Sequence, residues 1–156
     1  MNLEKYIGSF IEVCKDVFKK QGGITISEGR PYITEKEKYE SWDISAVIGF
    51  VGEVRGAIVI SLKTPLALKI VDELTGTKHT EMDEETKDVI GEMINMIAGH
   101  AKQRMEKEFT LVISLPTIVH GSKMSVTWPG KQPRIICIPF SVFDETFTLS
   151  VSIEQA

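Results

Sequence analysis

The chain is expected to fold as α+β, with long helices packed on one face of a largely antiparallel sheet. Three observations predict this. Apolar residues recur at helical spacing over 3–20 and again over 83–107. Between and after these stretches lie β-rich runs joined by short turns, the arrangement of antiparallel hairpins. The order helix, strands, hairpin occurs twice, once from Leu3 and once from Glu84, which predicts a pseudo-repeat of two halves. At 156 residues a single domain spanning 1–156 is expected.

Each element has its own signal. Leu3, Tyr6, Ile7, Phe10, Ile11, Cys14, Val17 and Phe18 form one apolar stripe, and Gln21-Gly22-Gly23 supplies glycine for a left-handed cap. Ile24-Thr25-Ile26 reads as a short strand. Ser27 to Trp42 is polar and rich in lysine and glutamate, and is expected as an exposed loop or irregular edge strand. Residues 44–51 and 57–62 read as a hairpin turning over Gly52-Glu-Val-Arg-Gly56. Thr64-Pro65 predicts a helix start, the threonine hydroxyl capping and proline in the first turn, with the helix running to Gly76. The long helix 83–107 follows, with acids Asp83 to Glu85 where they favour the helix dipole. Strands are then expected at 109–119, 122–127, 133–140 and 145–153. Turns fall at Gly121-Ser-Lys, Pro129-Gly130-Lys and Phe143-Asp144-Glu145.

Composition excludes several classes. A formal charge of −4 and a pI near 5.4 leave no basic surplus for nucleic acid. No apolar run reaches the about 18 residues of a membrane span, and the N-terminus enters an amphipathic pattern directly, so neither a span nor a signal peptide is expected. Cys14 and Cys137 read as reduced core thiols of a cytoplasmic protein. His79, His100 and His120 show no metal-ligand spacing and are expected as ordinary surface or partly buried histidines. Gly49-Phe-Val-Gly52 lacks the lysine and the strand–loop–helix setting of a phosphate loop. Trp42 and Trp128 are expected in packing roles.

The feature that carries chemistry is a polar stripe on the long helix: Asp88, Glu92, Asn95 and Gly99. At about 100° per residue these positions fall within roughly 60° of one another. Val89, Ile90, Met93, Ile94, Ile97, Ala98 and Ala101 cover most of the rest. Such a stripe is either a solvated face or a rigid carboxylate–carboxamide pair able to position a water or grip a partner. Gly99 favours the second reading, because an interior helix glycine costs about 1 kcal/mol relative to alanine, and the missing side chain lets another backbone come close. Asp88 and Glu92, one turn apart with no histidine nearby, are not expected to bind a metal.

These residues resemble the signature of the CheC/CheX family of chemotaxis phosphatases: an acid or serine, three residues, glutamate, two residues, asparagine, then a proline about twenty residues on. Here it reads Asp88, Glu92, Asn95 and Pro116, and the run from Gly91 to Lys102 resembles the CheX branch. The resemblance covers nearly the whole chain and implies a single domain of CheC-like fold. CheC-type members often carry the signature on two helices; the first helix here lacks it, so one site is expected. The implied activity is hydrolysis of the aspartyl phosphate on a CheY-like response regulator, by a cytoplasmic homodimer paired through its sheet. Glu92 and Asn95 would be catalytic: Asn95 would orient the attacking water and Glu92 would pair with a regulator lysine. Asp88, Gly99 and Lys102 would contact the partner. The chain itself would bind no cofactor, and a divalent metal such as Mg is expected on the regulator. The alternative is a non-catalytic dimeric docking module of the same fold that binds a receiver domain or another signalling protein. A dimer whose stripe is merely solvated is the third reading.

Overall fold

The structure is a computed structural model that describes residues 3–34, 42–121, 128 and 134–156. A 3-10 turn, Leu3–Tyr6, leads into α1 (Ile7–Gly22). The short strands β1 (Ser27–Glu28) and β2 (Tyr32–Thr34) follow, then β3 (Ile44–Gly52) and β4 (Val54–Leu62). Next come α2 (Thr64–Thr75), α3 (Glu84–Met105), β5 (Leu111–Ile113), β6 (Thr117–His120), β7 (Ile135–Val142) and β8 (Glu145–Gln155). The strands form one sheet in the order β1-β7-β8-β4-β3-β5, with β2 also on β7 and β6 also on β3. Every pairing in it is antiparallel. The predicted class therefore holds.

The pseudo-repeat is visible in the topology. The hairpins β3–β4 and β7–β8 meet at the centre through β4 and β8. The short strands of each half cross to the other half's hairpin, β1 and β2 onto β7, β5 and β6 onto β3. The crossings match in detail. Gly29 N donates to Pro139 O at 2.7 Å, and Ser114 N donates to Gly49 O at 2.9 Å. Two residues after each donor stands a proline, Pro31 or Pro116, and then a strand.

One face of the sheet and the helices share a core. Ile44, Ala46, Ile48 and Phe50 of β3 alternate inward, as do Phe147, Leu149, Val151 and Ile153 of β8. They meet Phe10, Val13, Cys14, Val17 and Phe18 of α1 and the apolar side of α3. Phe147 stacks between Phe18 and Phe140, with ring centroids 5.2 and 5.3 Å apart. Cys14 and Cys137 are buried thiols in no disulfide, as expected, and burial pushes the Cys14 thiol far above its ordinary value, so it stays protonated and inert. Trp42 and Trp128 are half-buried.

Several local expectations are corrected. Ile24 and Ile26 are core anchors, but the expected strand over 24–26 is absent; Ser27 already faces Ser141, one residue from the end of β7, so the ladder has only Val142 left to offer. The hairpin loop shrinks to Glu53, and Gly56 belongs to the ladder opposite Phe50 and Ile153. Thr64 does not cap α2; Lys63 is the N-cap, and the Asp43 carboxylate accepts from Thr64 N at 2.7 Å instead. The single strand expected over 109–119 is split at Ser114–Pro116. There Ser114 Oγ takes Gly49 N–H at 2.9 Å, and proline has no N–H to offer. The left-handed cap of α1 is Gly23, at φ 62°. Phe143 and Asp144 take φ 51° and 59° in the two-residue turn between β7 and β8, a type I′ geometry. The expected strand 122–127 and the turn at Pro129-Gly130-Lys131 lie outside the described residues.

Candidate functional site

α3 is anchored at its start. Asp83 is the N-cap, its Oδ1 accepting from Thr86 N at 2.9 Å and from Thr86 Oγ1 at 2.8 Å. The Thr86 amide holds the Asp83 carboxyl below its ordinary value. Ile90, Met93, Ile94, Ile97, Ala98, Ala101 and Met105 are all buried and fix the rotation of the helix on the sheet.

That rotation sets the stripe at the surface. Asp88 and Glu92 are exposed, and Asn95 and Gly99 are half-buried. Among the described residues, no hydrogen bond or ion pair engages the side chains of Asp88, Glu92 or Asn95. A carboxylate and a carboxamide, one turn apart, therefore stand on a rigid helix with their polar atoms uncommitted among the described residues. Lys102, expected at the rim, is held along the helix by Glu106 at 3.1 Å. The described residues contain no group of three or more His, Cys, Asp or Glu able to hold a metal ion.

The two interior glycines of α3 have different surroundings. A Cβ on Gly91 would meet Ile118 Cδ1 at 3.4 Å and Pro116 Cγ at 3.8 Å, ordinary van der Waals contacts, so β6 and Pro116 lie directly against the helix at this position. A Cβ on Gly99 would meet nothing within 4 Å. The fold does not need glycine there. Pro116 packs beside Gly91, immediately before Glu92, so the proline of the sequence signature sits next to the pair rather than at a distant site.

Histidine spacing alone misses one element of this helix. His79 is buried, its side chain only 5% exposed, and bridges two helices. Its backbone N donates to Asp72 Oδ1 of α2 at 2.7 Å, its Nδ1 lies 3.0 Å from the same oxygen, and its Nε2 lies 3.3 Å from Glu85 Oε1 of α3. The Asp72 hydrogen bond, aided by Glu85, raises the imidazole pKa above its ordinary value near about 6.5. A raised folded-state value means the bridge stabilises fully below the unfolded value and is lost as pH rises through the folded one. The shifted carboxylates, Glu12, Glu28, Asp83 and Glu108, act only in the acid range, where each is lowered. Below the range where an unfolded Cys14 thiol ionises, the melting temperature is thus expected to fall as pH rises from about 6 to about 8, and His79→Gln should flatten that slope. An unchanged slope in the variant, read by calorimetry, would remove His79 as its source. His100 and His120 are exposed.

Comparison with known proteins agrees with this geometry. A family model described as chemotaxis phosphatase CheX matches residues 44–141. The CheY-P phosphatase CheX of Thermotoga maritima is 31% identical over 152 residues, 96% of this chain and 93% of that protein. A solved CheC-like superfamily protein from Shewanella sp. PV-4 superposes with a TM-score of 0.87 at 28% identity, covering 99% of each chain. The chemotaxis protein CheX of Vibrio vulnificus superposes at 0.86 and 27% identity, covering 96% of this chain and 99% of that one. In the described residues no helix is long and apolar enough to cross a membrane.

Proposed function

The chain belongs to the CheX family of chemotaxis phosphatases, and from that premise we propose that it hydrolyses the aspartyl phosphate of a CheY-like response regulator. The observation that carries the reading is the Glu92–Asn95 pair, without a partner among the described residues and presented by a capped helix whose back is buried. An aspartyl phosphate is an activated acyl phosphate. Its hydrolysis needs a water held in line with phosphorus more than it needs a strong base. The Asn95 carboxamide offers both a donor and an acceptor and does not titrate, so it orients the water's lone pair without competing for its proton. Glu92 pairs with a lysine beside the phosphoaspartate and docks Asn95 in register. Asp88 is an outer contact, Gly99 admits the partner's backbone, and Lys102 lies at the rim. The divalent metal, such as Mg, belongs to the regulator and neutralises its phosphoryl oxygens; this chain supplies no ligand to it. The same reading places the protein in the cytoplasm as a homodimer paired through its sheet.

The test is the decay of a phosphorylated CheY-like regulator, with metal present and this protein in catalytic amount. Acceleration is the expected result. Unchanged decay despite measurable binding makes the chain a docking module. In the same assay Glu92→Ala should raise the half-saturating regulator concentration, and by more as salt is lowered, because a charge pair is less screened there. An effect equal at all ionic strengths would withdraw the lysine pairing.

A further inference from the structure

The large hydrophobic side chain most open to solvent among the described residues is Leu115, 85% exposed. Its backbone is held firmly. Ser114 N donates to Gly49 O at 2.9 Å, Ser114 Oγ bonds both Gly49 N and Leu115 O, and Pro116 restricts the residue before it to extended conformations. Pro116 then packs against Gly91 of α3. Gly91 is adjacent to Glu92 and one turn before Asn95, about 40° away around the helix. Leu115 is therefore a pre-ordered, exposed apolar tip whose neighbour Pro116 packs against the residue preceding Glu92.

We propose that Leu115 is an apolar docking contact for the phosphorylated receiver, a positioning residue that seats Glu92 and Asn95 at the phosphoaspartate. This rests on the receiver reading above. The pseudo-repeat supplies a second observation. The position matching Leu115 in the other half is Arg30, between Gly29 and Pro31. The half whose helix lacks Glu-x-x-Asn carries a cation at that tip, and the half with the pair carries leucine. Other exposed apolar residues do not share the location: Val51 and Val112 pair across β3 and β5, and their neighbours Phe50 and Leu111 are the ones turned into the core with α3. The receiver contact is then bipartite. Glu92 takes a lysine, with Asp88 an outer contact, and Leu115 takes an apolar side chain on the rim of the same site. Holding the tip in advance keeps the ordering cost of docking low.

Steady-state dephosphorylation and calorimetric binding of the phosphorylated receiver, on the full chain, test this. Leu115→Ser should raise KM and Kd about tenfold with kcat within about twofold and an unchanged melting temperature. Leu115→Met should restore both, and Val112→Ser, on the far face of the sheet, should match wild type. The Leu115→Ser loss should be equal at low and high salt, unlike that of Glu92→Ala. Wild-type KM and Kd in Leu115→Ser, or an equal loss in Val112→Ser, would overturn the assignment. The binding arm decides Leu115 even where wild type shows no turnover, so a failed phosphatase reading and a failed Leu115 reading give different results.

Discussion

Asn95→Ala is expected to lower the kcat of regulator dephosphorylation by about 100-fold or more, the order of loss for a misplaced reacting group. Its folding should be untouched. The side chain is half-buried and, in the described residues, bonded to nothing, so truncation strands no buried donor or acceptor. Alanine is also the better helix former. Receiver binding should survive, because Glu92 and the rest of the stripe remain. Asn95→Asp is the sharper companion. It keeps the shape, but it loses the amide donor and brings a negative charge toward the phosphoryl oxygens, so it too should be inactive. Single-turnover decay of the phosphorylated regulator, at saturating enzyme, separates this chemical defect from weak binding. Full activity in either variant would end the water-orienting role and leave Glu92 docking as the only function of the stripe.

Helix faces and turns were legible because they depend on local spacing. The apolar side of α3 was readable in order, from Ile90 to Ala101, and so was the left-handed cap at Gly23. The Glu92–Asn95 stripe was legible for the same reason, since a 3.6-residue period places both on one face. What depended on contacts between distant segments was not legible. Nothing near Thr64 shows that Asp43, twenty-one residues earlier, will take its amide. The tie between Ser114 and Gly49 that splits the strand over 109–119 joins residues sixty-five apart. Sequence alone makes His79 look ordinary, because its partners Asp72 and Glu85 are brought round it only by the turn between two helices. The same limit hid the difference between the two interior glycines of α3: Gly91 faces Pro116, and Gly99 faces open space.

Glycine to alanine should act with opposite sign at two positions, and Gly56→Ala is expected to be strongly destabilising. A Cβ on Gly56 would stand 1.9 Å from Ser152 O and 2.8 Å from the Ile153 Cα, which are backbone atoms of β8. No rotamer change relieves that contact. The strands β4 and β8 must separate, and they are the pair that joins the two halves of the sheet. Overpacking costs about 1–3 kcal/mol where side chains give way, so about 3 kcal/mol or more is expected where backbone must. For a chain of this size that lowers the melting temperature by about 6–12 °C or more. Gly99→Ala is the control. Its Cβ enters open space on a helix, so it should raise stability by up to about 1 kcal/mol while hindering the receiver's approach. Thermal melts of the two variants beside wild type check the signs. A Gly56→Ala protein that melts with wild type would mean that β4 and β8 do not pack as closely as 1.9 Å implies. A stabilised Gly99→Ala protein with impaired turnover would show that this glycine serves the partner and not the fold.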